Sequence, residues 1–119
     1  MTKKILVVDD SATARMLLNI CLQGHDGYTL LQAGSWEEGL KLAKQEAFVL
    51  IILDYNMPDK VGPELAALMR EEGVIAPFAL MSANTQDHVM EEIEALGFID
   101  VVEKPVTAEA VQSLLDKIS

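Results

Sequence analysis

Five short apolar runs mark the chain, at residues 5–8, 28–31, 49–53, 78–81 and 99–102. They are nearly continuous rather than alternating with polar residues. Runs of this length and character fit strands covered on both faces. Between them the apolar positions fall at helical spacing. Thr13, Leu17, Ile20 and Cys21 do so within 12–23, as do Leu40 and Ala43. Leu65, Leu68 and Met69 share a face, then Val89, Met90, Ile93 and Leu96, then Val111, Leu114, Leu115 and Ile118. Ser35-Trp36-Glu37-Glu38 reads as a capping box, in which Ser35 accepts from the helix backbone and Glu38 reaches back. Gly62-Pro63 opens a helix, and Gly73 and Gly97 close two.

The chain thus reads strand then helix five times. Such alternation implies right-handed crossovers, a parallel sheet and a three-layer α/β sandwich. With no linker or low-complexity tract, residues 1–119 are expected to form one domain. Parallel strands bring their carboxyl ends to one edge, where ligands of open α/β sheets bind. The residues following each run are therefore informative. The first run ends in Asp9-Asp10, the third in Asp54, the fourth in Ser82 and the fifth in Glu103-Lys104-Pro105, while the second leads only to Gln32-Ala33.

Three carboxylates and one ammonium leave a net charge of −2 (−3 + 1) at that edge if Asp9, Asp10, Asp54 and Lys104 meet. An all-oxygen set, with no His or Cys nearby, favours a hard cation such as Mg²⁺. A carboxylate at the centre of the cluster can attack a phosphoryl group and form an aspartyl phosphate. The lysine and the serine hydroxyl would then meet the phosphoryl oxygens.

Composition narrows the field. Half of the 119 residues are apolar and the formal net charge is −10, which opposes binding to nucleic acid or to anionic lipid. Lys3-Lys4 is the one clustered basic pair. The single cysteine, Cys21, lies in a helical stripe and is expected to act as a small buried hydrophobe. No signal peptide is apparent and no apolar segment approaches the ~20 residues of a membrane span, so a reducing, cytoplasmic setting is expected.

These segments together resemble the receiver domain of two-component response regulators, the CheY-like family. LVVDDSATAR is similar to its acidic pair and first helix, and LDYNMPDKVG to its phosphoacceptor segment, D-x-x-M-P-x-x-x-G. LMSA is similar to its strand-four hydroxyl segment and EKP to its lysine-proline pair. The resemblance spans the whole chain and implies a flavodoxin-like (βα)5 fold with strand order 2-1-3-4-5. It implies that Asp54 is the phosphoacceptor, with Ser82 and Lys104 on the phosphoryl oxygens. It implies that Asp10 is the more direct Mg²⁺ ligand, that Asp9 acts largely through water, and that Asn56 lends its backbone carbonyl. A cis Lys104-Pro105 bond is common in the family.

The implied partners are a sensor histidine kinase or phosphotransfer protein upstream and a downstream protein or output domain. Neither nucleic acid nor membrane is an expected partner of this chain. The last helical stripe runs to Ser119, leaving no output domain within the chain. The implied activity is self-phosphorylation and self-dephosphorylation rather than turnover of an external substrate.

The pattern breaks at Val101, where the family usually carries a Tyr or Phe whose rotamer follows phosphorylation. A β-branched aliphatic has no such swing. The expected output is backbone movement in the loops after Ser82 and Lys104.

Plainer readings exist for single residues. Asp9, Asp10 or Ser11 could cap the first helix. Trp36 reads as packing, Tyr55 as a near-site aromatic, and His25 and His88 as surface residues. Two other functions share parts of the pattern. A phosphohydrolase of haloacid dehalogenase type would use an aspartyl nucleophile and Mg²⁺, but it usually carries a second acid two residues on, where this chain has Asn56, and it needs a cap domain. A flavodoxin-like cofactor carrier would have to hold phosphate where Asp9-Asp10 repels it.

Overall fold

The computed structural model describes residues 3–55, 57, 62–83 and 97–118. Its five strands are β1 (Lys3–Val8), β2 (Tyr28–Ala33), β3 (Leu50–Asp54), β4 (Phe78–Ser82) and β5 (Phe98–Glu103). The helices among the described residues are α1 (Ala12–Leu22), α2 (Trp36–Gln45), α3 (Gly62–Glu71) and α4 (Ala108–Ile118). The helix expected over residues 89–96, with His88, lies outside the described residues, as does Ser119. All strands are parallel, in the order β2-β1-β3-β4-β5.

The continuous apolar runs are explained by the two layers that cover the sheet. Successive side chains of a strand point to opposite faces. Leu6, Val8, Ile51, Leu53, Phe78 and Leu80 join one core with Ala43 of α2 and Leu65, Ala66 and Met69 of α3. Ile5, Val7, Leu50, Ile52, Ala79 and Met81 join the other with Leu18 and Leu22 of α1 and Val111, Leu114 and Leu115 of α4. Both faces of β3 and β4 are therefore buried, whereas the edge strands tolerate the exposed Thr29 and Gln32 and the half-buried Asp100.

One helical face differs from expectation. Leu17, Leu18, Cys21 and Leu22 pack against the sheet and α4, but Ile20 is 54% exposed. At 100° per residue Ile20 projects nearly opposite Leu18. The inward arc is centred on Leu18 because α1 leans on both the sheet and α4. Cys21 is half-buried rather than fully so. Trp36 is half-buried and packs on the core under α2, as expected.

The caps follow the sequence with one variation. Ser11 Oγ accepts from Ala14 N–H at 3.2 Å, so Ser11, and neither adjacent acid, caps α1. Ser35 Oγ accepts from Glu38 N–H at 3.2 Å, but the Glu38 carboxylate accepts from Gly34 N–H at 2.8 Å, one residue before the cap.

Gly39 lets α2 approach β1 closely. A Cβ there would lie 2.6 Å from Val8 Cγ2, inside a fully packed core. Alanine is the better helix former by about 1 kcal/mol. We nevertheless expect Gly39→Ala to destabilise the fold by about 1–2 kcal/mol in urea unfolding, because overpacking outweighs propensity. Val8→Ala in the same chain should recover part of the loss relative to its own single variant, and additive costs would contradict the contact.

Candidate functional site

Strand register delivers the polar residues to one edge. Val8 pairs with Leu53 and Asp54 with Met81, while Ser82 pairs with Glu103. The chain stays knitted beyond the ladders: Tyr55 N–H donates to Met81 C=O at 2.8 Å, and Lys104 N–H donates to Ser82 C=O at 2.9 Å. Asp9, Asp54, Ser82 and Lys104 therefore leave adjacent strands at the same level.

Three carboxylates converge. Asp9, Asp10 and Asp54 each offer an oxygen, and these oxygens lie within 4.8 Å of one another. Asp9 is 0% and Asp54 5% exposed, whereas Asp10 faces solvent. Lys104 Nζ stands 2.7 Å from Asp9 Oδ2 and 3.0 Å from Asp54 Oδ1, bridging the two buried acids. Asp9 Oδ1 accepts from Ser11 N–H at 2.9 Å. Ser82 is buried at the end of β4, on the strand next to Asp54. Asn56 lies outside the described residues.

The electrostatics follow from this crowding. Burial pushes the Asp54 carboxyl up from 3.8 to about 6; the Lys104 hydrogen bond works against that rise, and the negative charge of Asp9 adds to it. Burial by itself would lower the Lys104 ammonium, but its hydrogen bonds to Asp9 and Asp54 outweigh that effect and raise it above 10.5. Lys104 is therefore a permanent cation. Asp9 Oδ2 is buried with the Lys104 ammonium at 2.7 Å and, as a carboxylate oxygen, keeps a further lone pair with which to accept. An oxygen-only donor set with a spare buried acceptor fits a hard divalent cation.

Glycine at position 62 is part of the frame. Its N–H donates to Tyr55 C=O at 2.8 Å, and a Cβ would meet the Asp54 carbonyl oxygen at 2.6 Å. The sequence marked Gly62 as a helix start, while this close approach is visible only in three dimensions. Tyr55 is half-buried and packs on the core under α2 and α3. Val101 is also half-buried, pairs with Leu80 and packs against that core. The Lys104-Pro105 peptide is cis. Of the loop after Ser82, Ala83 is among the described residues and 84–96 lie outside them.

Comparison with known proteins gives one consistent picture. Residues 5–116 match the family model for the response regulator receiver domain. A chemotaxis protein CheY homolog of Campylobacter jejuni is 31% identical over 97% of this chain and 91% of its own length. The alkaline phosphatase synthesis transcriptional regulatory protein PhoP of Bacillus subtilis is 32% identical over 99% of this chain but 49% of its own length. The crystallised chemotaxis protein CheY4 of Vibrio cholerae is 28% identical, with a TM-score of 0.90 and coverage of 100% of both chains.

The raised Asp54 value has a measurable sign. Folded Asp54 holds its proton more tightly than unfolded Asp54, so this site favours the fold most below about pH 3.8, and the contribution is lost as pH rises through about 6. In EDTA at about pH 7.5, Asp54→Asn should exceed the wild type by about 1–3 kcal/mol in urea unfolding. The gap should narrow as pH falls toward about 4. Parallel pH profiles for the two proteins would contradict the raised value.

Proposed function

This chain belongs to the response regulator receiver family, and from that premise we propose that Asp54 is its phosphoacceptor. Receiver domains are signalling domains rather than classical enzymes, and they generally use Mg²⁺ at an acidic pocket. The observation that carries the reading is Asp54 at the end of a central strand, 3.0 Å from Lys104 and clustered with Asp9 and Asp10.

Asp9 and Asp10 would hold the metal together with Asp54 and the backbone carbonyl of Asn56. Asp10, being exposed, suits direct ligation, and the buried Asp9 suits a water-mediated contact. Bound Mg²⁺ would neutralise the carboxylates and the oxygens of the transferring group. Asp54 attacks the phosphorus of a donor phosphohistidine. The new O–P bond forms as the N–P bond breaks, and the imidazole leaves with the bonding pair. Lys104 turns its ammonium from the carboxylates toward the phosphoryl oxygens, and the Ser82 hydroxyl donates a further hydrogen bond. Water later cleaves the acyl phosphate and restores the carboxylate.

The donor is a histidine kinase or phosphotransfer protein, and the phosphorylated population favours a conformation that a downstream protein or output domain binds. With Val101 packed as an aliphatic, the response leaves through the backbone after Ser82 and Lys104. Residues 1–119 act as one receiver domain in the cytoplasm. No helix among the described residues is long and apolar enough to cross a membrane. The net charge of −10 disfavours direct nucleic-acid binding. The haloacid dehalogenase alternative gains nothing from the site or from the relatives.

Incubation with acetyl phosphate and Mg²⁺, followed by intact mass spectrometry, tests the chemistry. The wild type should gain one phosphoryl group, and Asp54→Asn or excess EDTA should abolish the gain. An unchanged wild-type mass under conditions that label another receiver would overturn the proposal.

A further inference from the structure

Arg15 stands in α1, one turn past its N-cap, with its own N–H on Ser11 C=O at 3.1 Å. A cation near a helix N-terminus opposes the helix dipole, and no acid occupies the first turn of α1 to offset it. Local preference therefore does not explain the residue. Its contacts do. Arg15 Nη1 donates to the backbone carbonyl of Asp9 at 2.8 Å, and Nε donates to Gln32 Oε1 at 3.3 Å. The guanidinium lies against Gly34, where an added Cβ would fall 2.9 Å from Nη1.

The Asp9 carbonyl belongs to the Asp9–Asp10 peptide. Asp9 N–H is already held by Ala33 C=O at 3.1 Å, and its Oδ1 by Ser11 N–H at 2.9 Å. Arg15 takes the remaining polar group of that residue's main chain and so fixes the plane of the peptide that leads into Asp10. Asp10 itself is exposed, so its own packing does little to orient it. Gly34 is steadied in turn by Glu38, which accepts its N–H at 2.8 Å.

We propose that Arg15 is a positioning residue for the divalent-cation site, clamping the Asp9–Asp10 peptide so that the Asp10 carboxylate stays in reach of Asp9 and Asp54. Gly34 leaves the guanidinium room at that carbonyl, and an added Cβ would push Nη1 aside. The inference rests on the reading of the acidic cluster as a Mg²⁺ site. It adds a residue that touches neither metal nor phosphoryl group.

The direction of the effect separates positioning from simple charge. Deleting a positive charge beside an acidic pocket strengthens cation binding; deleting a clamp weakens it. Mg²⁺ titrations followed by calorimetry or amide NMR should show Arg15→Met binding about tenfold more weakly than wild type. Gly34→Ala, which leaves the net charge unchanged, should also bind more weakly. The double variant should be no weaker than Arg15→Met, because both changes break one contact. The Mg²⁺ concentration for half-maximal labelling by acetyl phosphate should rise in step, with the loss largely recovered at saturating Mg²⁺. A merely structural role would lower the urea midpoint without moving either Mg²⁺ quantity.

Unchanged or tighter Mg²⁺ binding in Arg15→Met overturns the proposal. If that variant does not fold, wild-type affinity in Gly34→Ala overturns it instead. Failure of the phosphoacceptor reading looks different: the wild type would bind Mg²⁺ but gain no phosphoryl group.

Discussion

The ammonium of Lys104, shared between two buried carboxylates, is the interaction on which the site depends. Asp9 and Asp54 are both withdrawn from water, and Asp10 adds a third charge at the rim. Buried like charges at this spacing protonate or separate unless a cation intervenes. Lys104 offsets this only in part: burial first, and then the charge of Asp9, still lift Asp54 to about 6. The remaining negative charge is what makes the pocket a receptor for a small hard cation. Stability and binding are therefore opposed here: a better neutralised cluster would be a poorer site.

That arrangement is a product of backbone register more than of side-chain packing. Asp54 pairs with Met81 and Ser82 with Glu103, so each functional group sits within one residue of its neighbour's level. The bonds from Tyr55 N–H to Met81 C=O and from Lys104 N–H to Ser82 C=O extend the ladders past the strands proper. Gly62 then allows α3 to start against the Asp54 carbonyl. A side chain there would move the central acid directly.

Much of this was legible in the sequence because the signals were long or chemically unusual. A five-residue apolar run ending in Asp54 marks a buried strand with a functional tip. The alternation of strands and helices fixed a parallel sheet, although the strand order came from the resemblance and not from periodicity. Spacing puts Ile20 on the inner stripe of α1, whereas the structure turns it to solvent, because spacing gives a stripe but not which side of it meets α4. Arg15 and Gly34 carried no local signal of their contact. They are nineteen residues apart and meet only through the packing of α1 beside β2. The capping role of Ser11, left open against Asp9 and Asp10, was settled by geometry, and it leaves both carboxylates free of that duty.

Lys104 belongs to the boundary of the last strand in chain order, while Asp9, Asp10 and Asp54 come from the first and third. A ribosome therefore makes all of the acids well before it makes their counter-ion. Until β5 docks on β4, the half-built sheet carries the repulsion of the cluster without its relief. The final strand brings both hydrogen bonds and charge balance when it closes the sheet. The order of synthesis thus leaves the counter-ion as the last group of the site to arrive.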